Sequence, residues 1–246
     1  MTHLLPSLPR PVARATGQRQ LHLLLALVSL LLVLLSVNRR STLTLGHVLP
    51  HQAMRWVELN NLLLGLFTVV THLVLLGHLR AVAAPAHRDR GRRAVGVLFV
   101  IGVYLYGVGY GDHEFANYLN GRFCTAGPSR WCDIVAFHDE SFSHHVFFAG
   151  FLLLNLAVMV AQAAAPTRTA LTRTDNVLLT VNALFVSGAV VANLAFERIG
   201  ADLFVVAAVT VLAVVLLCRA PGQPMLRYYT VAYGMGLAAT VTLMAL

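Results

Sequence analysis

The sequence predicts an all-α integral membrane protein, a bundle of about seven transmembrane helices with its N-terminus in the cytoplasm and its C-terminus outside. Three observations lead there. The first is composition: 58% of the residues are hydrophobic and 11% charged, with a mean hydropathy of +0.73. An ordinary soluble domain carries far more charge. The second is a series of seven windows that approach the roughly 20 apolar residues needed to cross a bilayer. The third is the placement of the arginines, which separates the loops into two unequal sets.

Residues 1–20, with Pro6, Pro9 and Pro11, read as a mobile cytoplasmic tail. The first window, Leu21–Val37, ends in Asn38-Arg39-Arg40 without a small-residue cleavage site, so it reads as a helix and not a signal peptide. Trp56–Leu79 is the second. Ala94–Tyr110 is the third, and Gly107, Gly109 and Gly111 near its end suit close helix approach. An extracytoplasmic segment, 112–143, leads into the fourth window, His144–Ala165. Asn176–Phe196 and Ala201–Cys218 are separated only by the turn Glu197-Arg198-Ile199-Gly200. Tyr228–Leu246 closes the chain. Residues 21–246 therefore make one transmembrane domain.

All eighteen basic residues are arginine. Twelve fall in loops that an N-in topology places inside, among them Arg80, Arg88, Arg90, Arg92 and Arg93. Six fall outside: Arg39, Arg40, Arg55, Arg122, Arg130 and Arg198. The absence of lysine excludes a retinal Schiff base, a pyridoxal phosphate lysine and a Walker A loop. It also fits a GC-rich genome, and the expected location is a bacterial inner (plasma) membrane. The net charge of +8 comes with no nucleic-acid recognition motif, so no nucleic-acid partner is expected. Eight of the ten acidic residues gather at the outer ends: Glu58, Asp112, Glu114, Asp133, Asp139, Glu140, Glu197 and Asp202. Acidic residues have little say in topology, so this asymmetry points to a site. Cys124 and Cys132 lie in the same outer segment, where an oxidising compartment allows a disulfide.

The densest polar cluster spans two helix ends. Asp112, His113, Glu114 and Asn117 follow the third window; His138, Asp139, Glu140, Ser141, His144 and His145 precede the fourth. Such groups beside hydrocarbon are costly unless they pair, bind a metal or line a wet cavity. His138, Ser141 and His145 are three and four apart, and Glu140 and His144 four apart, so an α-helix would present them in pairs. The expected metal ligands are His113, His138, Asp139, His144 and His145. Glu114 and Glu140 are the expected proton-transferring groups, and Glu58, Asn61, Asp112 and Asn117 the substrate-binding ones. Zinc is the leading metal, with iron or copper as alternatives. His72, alone within the second window, reads as a hydrogen-bonded packing residue.

Seven spans with Glu58, Gly109, His113, Asp139 and Ser141 loosely resemble the ceramidase-like membrane hydrolases. That resemblance implies a metal-dependent hydrolase. The family's His-x3-His pair on the last helix has no counterpart in 228–246, and membership is not assigned.

The expected function is a metal-dependent membrane enzyme. It would hydrolyse a lipid-like substrate at the outer face with a metal-activated water. An iron or copper oxidoreductase is the alternative chemistry. A non-enzymatic subunit of a larger membrane complex, ligating a pigment or haem or packing on partner subunits, is the alternative class.

Overall fold

The structure, a computed structural model, describes residues 10–50, 54–87, 91–125, 129–167, 170–196 and 200–245. Eight α-helices are found among them: α1 (Arg10–Arg40), α2 (Trp56–Val82), α3 (Arg92–Phe123), α4 (Arg130–Phe137), α5 (Ser143–Ala164), α6 (Arg173–Val191), α7 (Gly200–Arg219) and α8 (Pro224–Ala245). Two π-helical turns, His138–Phe142 and Ala192–Phe196, follow α4 and α6. No strand occurs among the described residues. Six helices are long and apolar enough to cross a membrane, with α4, the first π turn and α5 counted as one. α8 is 22 residues long but more polar, carrying Arg227, three tyrosines and several threonines.

Two expectations change. The tail expected over 1–20 is helical from Arg10, and Pro11 lies in the first turn, where its missing N–H costs nothing. Residues 1–9 lie outside the described residues, as do 197–199 of the expected turn. The 112–143 segment is mostly helix rather than loop. α3 runs on through the polar cluster to Phe123, and α4 begins at Arg130. Ser129 caps α4 by accepting from the Cys132 amide at 3.2 Å, and Asp133 adds a carboxylate to the first turn. Cys124 and Cys132 stand at disulfide distance across this break, their Cα atoms 5.4 Å apart.

The tightest packing is between α3 and α5. Gly102, Tyr106, Gly109 and His113 fall on one face of α3, three or four residues apart. A Cβ on Gly109 would overlap the backbone of Phe147, and one on Gly150 the backbone of Tyr106. A Cβ on Gly102 would stand only 3.0 Å from the Leu154 amide nitrogen. The helices thus cross antiparallel with backbones nearly in contact, as small residues permit in a bilayer. Gly107 and Gly111 take no part; nothing lies within 4 Å of a Cβ there.

The other helices pack around this pair. A buried polar knot ties α2, α5 and α8: His72 Nδ1 donates to Thr68 O at 2.8 Å, its Nε2 lies 3.1 Å from Asn155 Oδ1, and Asn155 bonds the Tyr229 and Tyr233 hydroxyls. His72 is 1% exposed. It is the packing histidine expected from the sequence, with both ring nitrogens engaged. α1 and α6 run parallel and are tied by two side-chain pairs. His22 Nε2 lies 2.8 Å from Asp175 Oδ1, and Ser29 Oγ donates to Asn182 Oδ1 at 2.8 Å.

Candidate functional site

The antiparallel register of α3 on α5 carries His113 to the π turn. In an α-helix the Ser143 amide would bond the carbonyl of Asp139. Here it bonds the carbonyl of His138, one residue further back. The Asp139 carbonyl is released from the ladder and accepts two side chains instead. Ser143 Oγ donates to it at 3.0 Å, and His113 Nδ1 lies at 3.0 Å. The Asp139 carboxylate faces the same imidazole, with Oδ1 3.1 Å from His113 Nδ1, while Asn120 Nδ2 donates to Oδ2 at 3.1 Å. The N–H points at the carbonyl, so Oδ1 has ion-pair contact but no hydrogen bond of its own.

Two acceptors facing Nδ1 fix the proton there, so the neutral ring carries its lone pair on Nε2. His113 is thereby an oriented imidazole backed by a buried carboxylate; Asp139 is 5% exposed. The same arrangement tunes a catalytic base or a metal ligand. The His144 ring stands perpendicular to that of His113, with centroids 4.6 Å apart.

A second layer closes the end of the bundle. Arg39 Nη2 donates to Glu114 Oε1 at 3.1 Å, and Asn61 Nδ2 donates to the same oxygen at 2.9 Å. Asn38 Nδ2 donates to Asn61 Oδ1 at 2.7 Å, and Asn60 Nδ2 to Asn38 Oδ1 at 3.1 Å. Glu58 pairs with Arg55, closing the start of α2. This layer binds α1, α2 and α3 together, and it engages Glu114, Asn61 and Glu58 in structural contacts.

Beneath lies a cavity of about 550 Å³. Its polar end holds Arg39, His113, Ser143, His144 and Asn193; its walls are Leu31, Leu35, Phe147, Phe151, Leu184 and their neighbours. Both π turns flank it, since Ser143 directly succeeds the first and Asn193 belongs to the second.

The expected metal ligands therefore separate. His113, Asp139 and His144 come together at the cavity. His138 turns away to Asp112, its Nδ1 3.0 Å from Oδ2. His145 is exposed and its Nδ1 bonds its own helix at Ser141 O, 2.6 Å away. Glu140 is exposed, and Asn117, though exposed as well, reaches the Asp139 carboxylate. The π turn explains the difference: one extra residue rotates His138 and Glu140 out of the register that α-helical spacing assigns them. Among the described residues, no group of three His, Cys, Asp or Glu side chains is disposed to hold a metal ion.

Four residues of this region escaped the sequence reading. Arg39 read only as a topological charge and Asn193 only as part of the window Asn176–Phe196. Tyr110 read as the end of a window. Asp202 is buried at 7% exposure with Oδ2 unbonded, and has Asn193, His144 and His145 among its neighbours. The outer acidic asymmetry was the available signal for Asp202.

No protein-family model, curated protein or solved structure matches this chain.

Proposed function

We propose that the chain is an integral membrane enzyme that hydrolyses a lipid-like substrate held in the cavity beneath His113. The observation that carries this reading is one arrangement: an apolar cavity whose polar end presents an imidazole oriented by a buried carboxylate. Lipid-like molecules match the apolar walls, and the His113–Asp139 pair supplies a general base. His113 Nε2 takes a proton from water as the water attacks a carbonyl carbon, then returns it to the leaving group. Asp139 holds the ring in the tautomer this requires and stabilises the imidazolium.

The metal-dependent form of the proposal narrows to His113 Nε2 and His144. A catalytic zinc site takes three protein ligands and a water, and these two imidazoles would supply two of them. The proton transfers at His113 pass through no metal. Iron or copper at the same pair is the oxidative variant.

The proposed topology has seven spans, α8 being the seventh through its buried position against α6 and α7. It runs N-in and C-out on the arginine asymmetry, in a bacterial plasma membrane. The site then lies at the outer face.

The test uses purified protein in lipid nanodiscs. Its metal content is measured, and a panel of long-chain esters and amides is assayed for hydrolysis. Turnover abolished in His113→Ala supports the enzyme. No turnover with or without added zinc, together with co-purifying membrane proteins, supports the complex-subunit reading instead.

A further inference from the structure

We propose that the crevice between α1 and α6 is a lateral doorway, through which a single-chain amphiphile with an uncharged, hydrogen-bonding head passes from the bilayer into the cavity. The proposal rests on the cavity reading above and adds the route and the substrate class.

Among the described residues, the side-chain bonds between the two helices are at His22–Asp175 and Ser29–Asn182. Both pairs share the same sequence offset, so the helices run in a constant parallel register. Continued past Ser29, that register brings Leu31–Arg39 alongside Leu184–Ala192. Those are the stretches that line the cavity. The cavity beneath His113 lies along this second stretch of the pair, past the Ser29–Asn182 bond.

The space faces sideways. Val33, Val37, Leu184 and Phe185 line the cavity and are 39%, 56%, 47% and 44% exposed. All four lie within the spans Gly17–Arg39 and Arg173–Leu194, at the depth of hydrocarbon. A wall that is both cavity lining and lipid-facing surface marks an opening to the bilayer. The α6 side of the opening is built from small residues, Gly188, Ala189 and Ala192. A Cβ on Gly188 meets nothing within 4 Å.

The polar end specifies the head. Tyr110 Oη and Asn193 Nδ2 are buried at the cavity and make no hydrogen bond of full geometry, Tyr110 lying beside Arg39 and Asn193 beside Asp202. The Arg39 guanidinium lies over the Tyr110 ring, 5.7 Å from its centroid. Buried donors without acceptors are costly, and a carbonyl or hydroxyl oxygen of a ligand would satisfy them. Glu114 pairs with Arg39, so that guanidinium is already engaged and is not held ready for an anionic head. A volume of about 550 Å³ takes one acyl chain and a small head, within the usual range for small-molecule cavities.

The experiment is photo-cross-linking in nanodiscs, with a monoacylglycerol carrying a diazirine on its chain. Mass spectrometry should place the adducts on 31–37 and 184–192. Gly188→Phe should lower them about ten-fold, the effect of roughly 1.4 kcal/mol of binding. Unlabelled monoacylglycerol should compete, and a diacyl phospholipid should not. Ala189→Phe serves as a second plug should the first variant fail to fold. Adducts spread evenly over all lipid-facing helices, unchanged by either plug, overturn the proposal, as does equal competition by the phospholipid. Crevice labelling without any hydrolysis leaves the doorway standing and removes the enzyme reading. Turnover of a short-chain soluble ester with evenly spread adducts does the reverse.

Discussion

The imidazole of His113 is bonded to the backbone carbonyl of Asp139 and is in ion-pair contact with its carboxylate, across the contact between two helices that glycines bring together. Position and chemistry are therefore coupled. Whatever moves α3 on α5 also misaligns the base.

His113→Ala should reduce hydrolysis by about 10²–10⁴-fold, the usual contribution of a positioned base. Asp139→Asn should lose activity with little change in substrate binding, because it alters the ring's partner and not the cavity. The measurement is kcat and KM for both variants on one ester. Equal activity in wild type and His113→Ala would remove His113 from the chemistry.

Gly150→Ala should cost about 1–3 kcal/mol, since the added methyl overlaps the Tyr106 backbone and the helices must part. Gly107→Ala should be neutral, or stabilising by up to about 1 kcal/mol, because its Cβ enters open space. Thermal unfolding in one detergent compares the two. Similar losses in both would mean that close α3–α5 contact is not what Gly150 provides.

Non-reducing mass spectrometry should find the Cys124 and Cys132 peptides linked. The paired serine variant should lose about 2–3 kcal/mol, the loop-closure value for a short loop. Two alkylatable thiols in freshly purified protein would contradict the linkage.

His72→Ala should lower stability by about 1–3 kcal/mol through the Asn155 and tyrosine contacts left unpaired, yet retain turnover per folded molecule. A selective loss of turnover would move this knot into the functional machinery.

A reporter enzyme fused after Leu246 should be active only outside the cytoplasm. Cytoplasmic activity there would invert the orientation and place the His113 site at the inner face.

The helical, apolar character of the chain was legible because hydropathy acts residue by residue. The polar cluster was legible for the same reason: charged groups stand out beside long apolar runs. His113 and Asp139 were named from it, and they do meet. Their partners were not readable, because α-helical spacing assumes four-residue bonding. The π turn at His138–Phe142 breaks that assumption at the residues in question, sending His138 to Asp112 and exposing Glu140. The continuation of α3 through Asp112–Phe123 was hidden as well, since polar residues past a hydrophobic window look like loop. Arg39 and Asn193 lie far from the cluster in sequence, and only the packing of α1 and α6 brings them to it.

A π turn is, in effect, a helix that holds one residue more than its neighbours require. The two turns beside the cavity therefore make the site sensitive to chain length in a way that side-chain replacement cannot reproduce. Removing the exposed Glu140 would let the ladder relax to ordinary α-helix, swinging α4 by about 100° against α5. The Asp139 carbonyl would be reclaimed by the backbone, and His113 would lose its anchor without any change to either residue. Gain or loss of a single codon here would make or break the anchoring of His113.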